Sequence, residues 1–531
     1  MRSIWLSLAW KEWHEHKWKF ASILGALWAC VAISLVYGGR DGFGMAGVTM
    51  SFCIVPFAIF VGLGAAASER SRGTLAFLQA LPTPMWPAAL MKLVLGLLTL
   101  LVSIALTVPL YYGWAWWLEH FGDSFGAIQR IAGKSYITNN FYLDVALGCI
   151  AIAVSLFIWT AAAGVNRKDE VSAGAVTLAA IVGWYCLLFI GAYVLTGFFS
   201  PFNRTETEER VIEGISLTTL PLGPGGLVPA SAIVLDNHRQ LSATDMSLWM
   251  LFVVSVATAA HLALAGSYLR RFARIENIEV RSQQTAAKPS AEIDWLSAPR
   301  RSPLTAIAWK QARESGPLVV AGLAGIVGMT LAMGLANQGV LRAFPERLAL
   351  MLAGVSVWLG TAITLITGIG ICFHDVVPQV NTFWRSRPID PNLWFWSKYA
   401  TGLAVLLCIL DLPILTVLTA IQYGSARFQA SVLMSIAAQL ALFAAAVATT
   451  CLVRHAVYSA ILSIPLMFVG LAVVWIVAKA AATVGWTDHM PETFDDLSPS
   501  QFTVGYLLTF IACTLLGWLA IRYDWGRKSR Y

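Results

Sequence analysis

The chain has 531 residues, of which 58% are hydrophobic and only 12% charged. Soluble domains carry about a quarter charged residues, so a water-soluble fold is excluded for most of this chain and lipid must surround it. The formal net charge of +7 does not indicate nucleic acid as a partner. No basic stripe with interleaved aromatic residues occurs, and basic residues collect in the cytoplasmic loops of membrane proteins.

The first 19 residues are rich in tryptophan and lysine, and they lack the apolar core of a signal peptide. Tryptophan favours the membrane–water boundary, so this segment predicts an interfacial helix over 1–19 that leads into the first span. The His14-Glu15-His16 triplet within it does not indicate a metal site, because helical neighbours at i and i+2 point apart.

Twelve apolar segments are each long enough to cross a bilayer as a helix. They are about 20–38, 46–67, 91–113, 143–165, 171–195, 248–268, 317–336, 349–372, 399–422, 430–452, 457–478 and 504–521. If both termini are cytoplasmic, 26 of the 36 basic residues lie on the cytoplasmic side, as the positive-inside rule requires. The eight cysteines fall in or beside these segments without Cys-x-x-Cys spacing, so neither a zinc site nor a disulfide framework is expected.

A spaced set of residues occurs twice in the chain. Glu69, Phe77, Pro82, Lys92 and Gly96 recur as Asp375, Phe383, Pro388, Lys398 and Gly402, each pair 306 positions apart. A second echo matches Ala9-Trp10-Lys11-Glu12 and Glu15 with Ala308-Trp309-Lys310-Gln311 and Glu314. Repeats of this kind indicate a duplicated unit.

We therefore predict an all-α integral membrane protein built from two parallel six-helix repeats, with both termini in the cytoplasm. The first repeat spans 1–268, a cytoplasmic linker with a second interfacial helix spans 269–316, and the second repeat spans 317–531. Residues 196–247 form the largest predicted external loop, which contains the turn Gly223-Pro224-Gly225-Gly226. The predicted localisation is the cell membrane, which for a bacterium is the cytoplasmic membrane.

The polar stretch after the second span predicts a short amphipathic helix over about 69–85. Leu75, Leu78 and Leu81 recur every three residues and give one apolar side, and Pro82 then ends the helix. Such a helix at the membrane surface either closes the base of the bundle or acts as a lever for a partner.

An acidic residue, two basic residues, Gly-Thr-Leu, a short apolar helix, Leu-Pro and a lysine at the next span resemble the coupling region of type-2 permeases of ATP-binding cassette (ABC) transporters. The resemblance implies that each half docks one ATPase subunit. In the first half the implied coupling residues are Glu69, Arg70, Arg72, Gly73, Thr74, Leu75, Phe77, Leu78 and Pro82. In the second half, over about 375–390, they are Asp375, Arg385, Arg387 and Pro388. The second copy lacks Gly-Thr-Leu, so it is expected to bind its ATPase differently.

ATP hydrolysis is not expected in this chain. Gly133-Lys134-Ser135 is the nearest approach to a Walker A loop, but Ile128 stands where its first glycine belongs. The chain is therefore predicted not to be an enzyme and to hold no cofactor or metal, with ATP and Mg²⁺ bound by two copies of a partner ATPase. Membrane lipid is the other expected partner.

Two ionisable residues fall inside predicted spans, where burial is costly and often functional. Asp411, whose counterpart in the first half is Ala105, either lies on a substrate path or occupies the backbone gap left by Pro413. His261 either lines a path or packs in the bundle. A proton-coupled carrier using Asp411 is therefore the first alternative to an ABC exporter. An enzyme acting on lipid-linked substrates and a non-transporting scaffold are the others, and the sequence does not indicate a substrate.

Overall fold

The computed structural model describes residues 2–37, 42–71, 75, 84–121, 141–165, 167, 170–198, 222–227, 248–272, 302–336, 345–376, 380–381, 385, 389–421, 426–483 and 498–525. Within these ranges the chain is helical, with no strand. The first half contains α1 (Arg2–Tyr37), α2 (Gly42–Ser71), α3 (Trp86–Ala105), α4 (Thr107–Phe121), α5 (Phe141–Gly164), α6 (Glu170–Phe198) and α7 (Leu248–Phe272).

The second half begins with α8 (Pro303–Ala336), α9 (Pro345–Val376) and α10 (Pro391–Val405). A π-helical turn, Leu406–Asp411, joins α10 to α11 (Leu412–Ile421). The remaining helices are α12 (Ala426–Val453), α13 (Ala456–Met467), α14 (Val469–Thr483) and α15 (Pro499–Arg522).

The described residues include eleven helical stretches that are long and apolar enough to cross a membrane. The protein is therefore an all-α, multi-pass membrane protein. The remaining predicted span, 171–195, coincides with α6, whose apolar stretch Ser172–Leu188 is shorter than the other eleven.

The predicted interfacial helix is not separate from the first span, because α1 runs without a break from Arg2 to Tyr37. No proline interrupts this sequence, so the backbone hydrogen bonds continue across the expected boundary. The second interfacial segment is likewise continuous with the following span in α8, which passes through Pro317.

The third span of each half is interrupted. The first breaks between α3 and α4, where Pro109 has no N–H to donate to the Ala105 carbonyl. The second contains the π-helical turn, and there Pro413 leaves the Ile409 carbonyl without its usual donor.

The two halves use the same close helix contact. A Cβ on Gly62 of α2 would lie 2.8 Å from the Thr160 Cβ and 3.0 Å from the Phe157 carbonyl of α5. A Cβ on Gly368 of α9 would lie 2.8 Å from the Ala446 Cβ and 3.1 Å from the Phe443 carbonyl of α12. Glycine therefore lets the central helix of each half approach its neighbour closely.

The halves also contact each other. Helix α6 packs against α8 and α9, while α13 packs against α1 and α2. The central helices α2 and α9 thus face the middle of the molecule, where the two halves meet.

Candidate functional site

A buried charge cluster joins three helices of the first half, where α2 ends and α3 begins. Lys92 Nζ lies 3.0 Å from Glu12 Oε2 and 2.8 Å from Glu69 Oε1, and the three side chains are at most 5% exposed. Lys11 Nζ lies 2.7 Å from Glu69 Oε1, and it also contacts Glu12 and Glu15 at 3.2 and 3.6 Å. We call this set the first base cluster, and the end of the bundle that holds it the base.

The equivalent residues of the second half form a second base cluster. Lys398 pairs with Asp375 and donates to the Ile371 carbonyl at 2.9 Å. Lys310 Nζ lies 3.5 Å from Asp375 Oδ1 and 3.8 Å from Glu314 Oε1. The two clusters differ in charge, because Gln311 replaces Glu12.

The Gln311 side chain remains buried at 1% exposure, and its Oε1 has no hydrogen-bond partner in the described part of the chain. Two lysines therefore face three acidic residues in the first cluster and two in the second. A buried neutral amide therefore stands in the second half where the first cluster has a buried carboxylate.

The predicted coupling residues that the structure describes lie in several different environments. Glu69 and Asp375 lie in the base clusters rather than at the start of a new helix, because α2 continues to Ser71 and α9 to Val376. Arg70 lies in the last turn of α2, and Leu75 packs against the core of the first half. The other predicted coupling residues, Arg72, Gly73, Thr74, Phe77, Leu78, Pro82, Arg387 and Pro388, lie outside the described residues.

Arg385 is held by the end of the last helix. Its Nη2 donates to the Ile521 carbonyl, and the same nitrogen lies 3.6 Å from Asp524 Oδ1. Asn381 Nδ2 donates to Asp524 Oδ1 at 3.4 Å, and Arg454 forms an ion pair with the same oxygen. Burial alone would raise the pKa of Asp524, but the Arg454 hydrogen bond and the Arg385 charge hold that pKa below its usual value.

A cavity of about 60 Å³ lies between the halves, against α2, α6, α9, α12 and α13. Its walls are built largely from positions that correspond between the halves, as expected for a cavity on an axis that relates one half to the other. We call it the axial cavity. On α2 and α9 the corresponding residues are 306 positions apart, and on α6 and α13 they are 286 apart. The pairs are Phe52 and Trp358, Val55 and Thr361, Pro56 and Ala362, Ile59 and Leu365, Phe60 and Ile366, Leu178 and Ile464, and Ile181 and Met467.

An aromatic pair lines one side of this cavity. The rings of Phe52 and Trp358 have centroids 5.3 Å apart and are tilted by 49°. A smaller cavity of about 10 Å³, room for one water, shares Phe60, Gly174 and Ile366 with the axial cavity. Glu170, the first residue of α6, lines this smaller cavity, which therefore lies on the base side of the axial cavity.

His261 serves a different feature, a turn formed by residues 222–227. Its Nδ1 lies 2.7 Å from the Ala257 carbonyl and must donate to it, so Nε2 accepts from the Ser155 hydroxyl at 2.6 Å. The Ser155 Oγ in turn accepts from the Gly225 N–H at 2.8 Å. These contacts complete the hydrogen bonding of a neutral histidine, and the axial cavity does not include His261.

The turn was expected in an external loop, but it reaches the interior of the bundle. Ser155 lies near the middle of the span Val145–Gly164. The turn fits there because Gly225 adopts a φ of +138°, and because any Cβ on Gly223 would overlap the Trp184 indole. Non-helical backbone is tolerated at this depth when protein surrounds it and satisfies its hydrogen bonds.

Asp411 ends the π-helical turn and is buried at 8% exposure. Its Oδ2 has no hydrogen-bond partner among the described residues. The π-helical turn that contains Asp411 packs against α8 and α9, and Asp411 is not among the described residues that line the axial cavity. The structure therefore does not bring Asp411 and His261 into one site.

Sequence reasoning singled out the residues of both base clusters as repeated positions, but it predicted neither their ion pairs nor the axial cavity nor the buried turn. The 306-residue offset of α2 and α9 was a usable signal for the cavity, since it also relates Phe52 to Trp358. No described group of three or more histidine, cysteine, aspartate or glutamate residues has the arrangement of a metal site. Comparisons with protein-family models, with curated proteins and with solved structures find no match to this chain.

Proposed function

We propose that the chain is the membrane-spanning permease of an ABC exporter, with two fused halves and a separate ATPase. The observation that carries this proposal is the axial cavity, whose walls come from equivalent positions of two similar halves. A path between two such halves opens when they rock apart, and an energy source is then needed to drive that motion.

The base clusters support a route for that energy. In this proposal the base faces the cytoplasm, and ATPase subunits bind the segments at about 69–85 and 375–390. Glu69 and Asp375 lie where those segments begin, and each is tied by lysines to two other helices of its half. A push on either segment would therefore be transmitted to α1 and α3, or to α8 and α10, as well as to the central helix.

The test is co-purification of ATP hydrolysis with the tagged full chain from its native membranes. The charge reversals Arg72→Glu and Arg387→Glu should each lower the co-purified ATPase activity, and the double variant should lower it further. Arg281→Glu is the control, because it reverses a basic residue of the predicted linker. The proposal fails if no ATPase activity accompanies the chain, or if Arg72→Glu, Arg387→Glu and Arg281→Glu all have the same effect on the co-purified ATPase activity.

A proton-coupled carrier is the second candidate, and the buried carboxyl of Asp411 favours it. An unpaired carboxylate at that depth is costly, so the group is expected to carry a proton. Under this alternative, transport would collapse with an uncoupler and survive ATP depletion, and Asp411→Asn would be inactive.

A further inference from the structure

Among the described residues that line the axial cavity, only Thr177 and Thr361 carry a hydroxyl, and the indole N–H of Trp358 is the other polar side-chain group. One of the two hydroxyls has no hydrogen-bond partner. The Thr361 hydroxyl donates to the carbonyl of Val357, four residues back in its own helix. The Thr177 hydroxyl is buried at 1% exposure and has no hydrogen-bond partner in the described structure.

This hydroxyl belongs to one half only. The position that corresponds to Thr177 is Ser463, whose hydroxyl donates to the Ala460 carbonyl and does not line the cavity. A buried hydroxyl without a partner destabilises the protein, and a ligand group that bonds to it removes that cost. The unsatisfied Thr177 therefore points to a ligand with one hydrogen-bonding group.

The other residues of the axial cavity determine the charge, shape and size that a ligand must have. No charged side chain occurs among the described residues that line the axial cavity, so an ion placed there would be desolvated without a counter-ion, which is strongly unfavourable. The Phe52 and Trp358 rings offer a flat apolar contact on one side. At about 60 Å³ the cavity is smaller than one of about 150 Å³ that holds benzene, so α2 and α9 must separate before a ligand enters.

We propose that the axial cavity binds an uncharged, largely apolar molecule with a single hydrogen-bonding group, which Thr177 contacts. This inference rests on the proposed function in one respect, since it takes the axial cavity to be part of the transport path. Binding at equilibrium needs only a spontaneous separation of α2 and α9, which the ligand then stabilises, so it can be measured without nucleotide or an ATPase and separately from the energy source.

The experiment uses the purified full chain in lipid nanodiscs, without nucleotide and without any ATPase. The probes are three ten-carbon chains that carry a diazirine at one end. At the other end they carry a hydroxyl, a methyl or a trimethylammonium group, respectively. After irradiation, labelled residues are identified by mass spectrometry over a range of probe concentrations. The alcohol should label α2, α6 and α9 around the cavity saturably, and the trimethylammonium probe should not.

Two isosteric variants make the test specific. Thr177→Val should weaken labelling by the alcohol about fivefold to tenfold, as expected for one lost hydrogen bond, and should not weaken labelling by the methyl-terminated probe. Thr361→Val should weaken labelling by the alcohol less than Thr177→Val does, because the Thr361 hydroxyl proton is already donated within its helix.

Thr177→Val removes an unsatisfied group, so its thermal stability should not fall below that of the unmodified chain. The proposal is overturned if the trimethylammonium probe labels the cavity as well as the alcohol does. It is also overturned if the two threonine variants have equal effects, or if saturable labelling lies only outside the cavity. None of these results depends on which energy source drives transport.

Discussion

Replacing Lys92 by methionine should destabilise the protein more than any other single change in the base clusters. Lys92 is 2% exposed and contacts two carboxylates that are themselves almost fully buried. The substitution keeps the length of the side chain and leaves Glu12 and Glu69 with Lys11 as their remaining lysine contact. Removing one partner of a buried ion pair costs about 3–5 kcal/mol, because the other charge stays buried without compensation.

The second half offers a matched control in Lys398→Met. Lys398 contacts one carboxylate and one backbone carbonyl, and Asp375 keeps a contact with the half-exposed Lys310. Because this change affects one carboxylate rather than two, we expect a loss of about 2 kcal/mol, below the range for fully uncompensated buried pairs. The comparison keeps the substitution, the helix position and the lipid environment the same.

The assay is equilibrium unfolding in mixed micelles, which reports the difference in free energy of unfolding. A rescue variant tests the cause: Lys92→Met combined with Glu12→Gln and Glu69→Gln should recover most of the loss, because neutral amides bury at lower cost than carboxylates. The electrostatic explanation is refuted if Lys92→Met costs less than about 1 kcal/mol, or if it costs the same with and without the two glutamines.

Three further changes test other parts of the structure. Ser155→Ala should destabilise the protein by about 1–3 kcal/mol and increase proteolysis within 222–227, since the turn loses its anchor; unchanged cleavage would contradict the role of the hydroxyl. The lowered pKa of Asp524 means that its contacts stabilise the fold above the unfolded carboxyl pKa and are lost as pH falls through the folded value. The hydrogen-exchange protection factor near Arg385, which corrects for the pH dependence of the intrinsic exchange rate, should therefore fall on acidification, and in Asp524→Asn it should be low at every pH. Gly368→Ala should cost about 1–3 kcal/mol through overpacking, whereas Gly354→Ala, on the same helix with open space around it, should not destabilise, and equal effects would contradict the close-contact assignment.

The positions of the spans were predictable because a membrane helix needs a long apolar run, and such runs are visible in composition alone. Their local geometry was less accessible. The sequence alone did not show that α1 continues without a break through its tryptophan-rich start. The two breaks in the third spans follow from Pro109 and Pro413, but only Pro413 drew attention in the sequence, because Asp411 stands beside it.

The buried turn illustrates why tertiary contacts escape sequence reasoning. Gly-Pro-Gly-Gly is typical of an exposed turn, and the partners of Gly225 and Gly223, which are Ser155 and Trp184, are distant in the chain. Nothing in the local pattern distinguishes a glycine needed for a solvent turn from one needed under an indole ring. The base clusters were easier, because their residues recur with fixed spacing and carry opposite charges.

Comparison of the two halves separates packing contacts, which agree, from polar positions, which differ. The repeated contacts concern packing: the glycines against α5 and α12, and the apolar pairs of the axial cavity. Several differences involve polar residues, among them Glu12 against Gln311, Thr177 against Ser463, Glu170 against Ala456, Val55 against Thr361, and Ala105 against Asp411.

Packing has to be equivalent on both sides if two halves are to meet along a shared line, because a mismatch in either half opens voids in both. Polar groups at membrane depth need not be equivalent in the two halves. Each polar group that is kept there is costly to bury. The Thr177 hydroxyl and the Glu170 carboxylate both belong to α6, and they line the axial cavity and the smaller cavity beside it, respectively. The second half contributes one hydroxyl to these walls, that of Thr361, which already donates to the carbonyl of Val357. A ligand between the halves would therefore find the unsatisfied hydroxyl on the first half only, so two similar halves would hold it in one orientation.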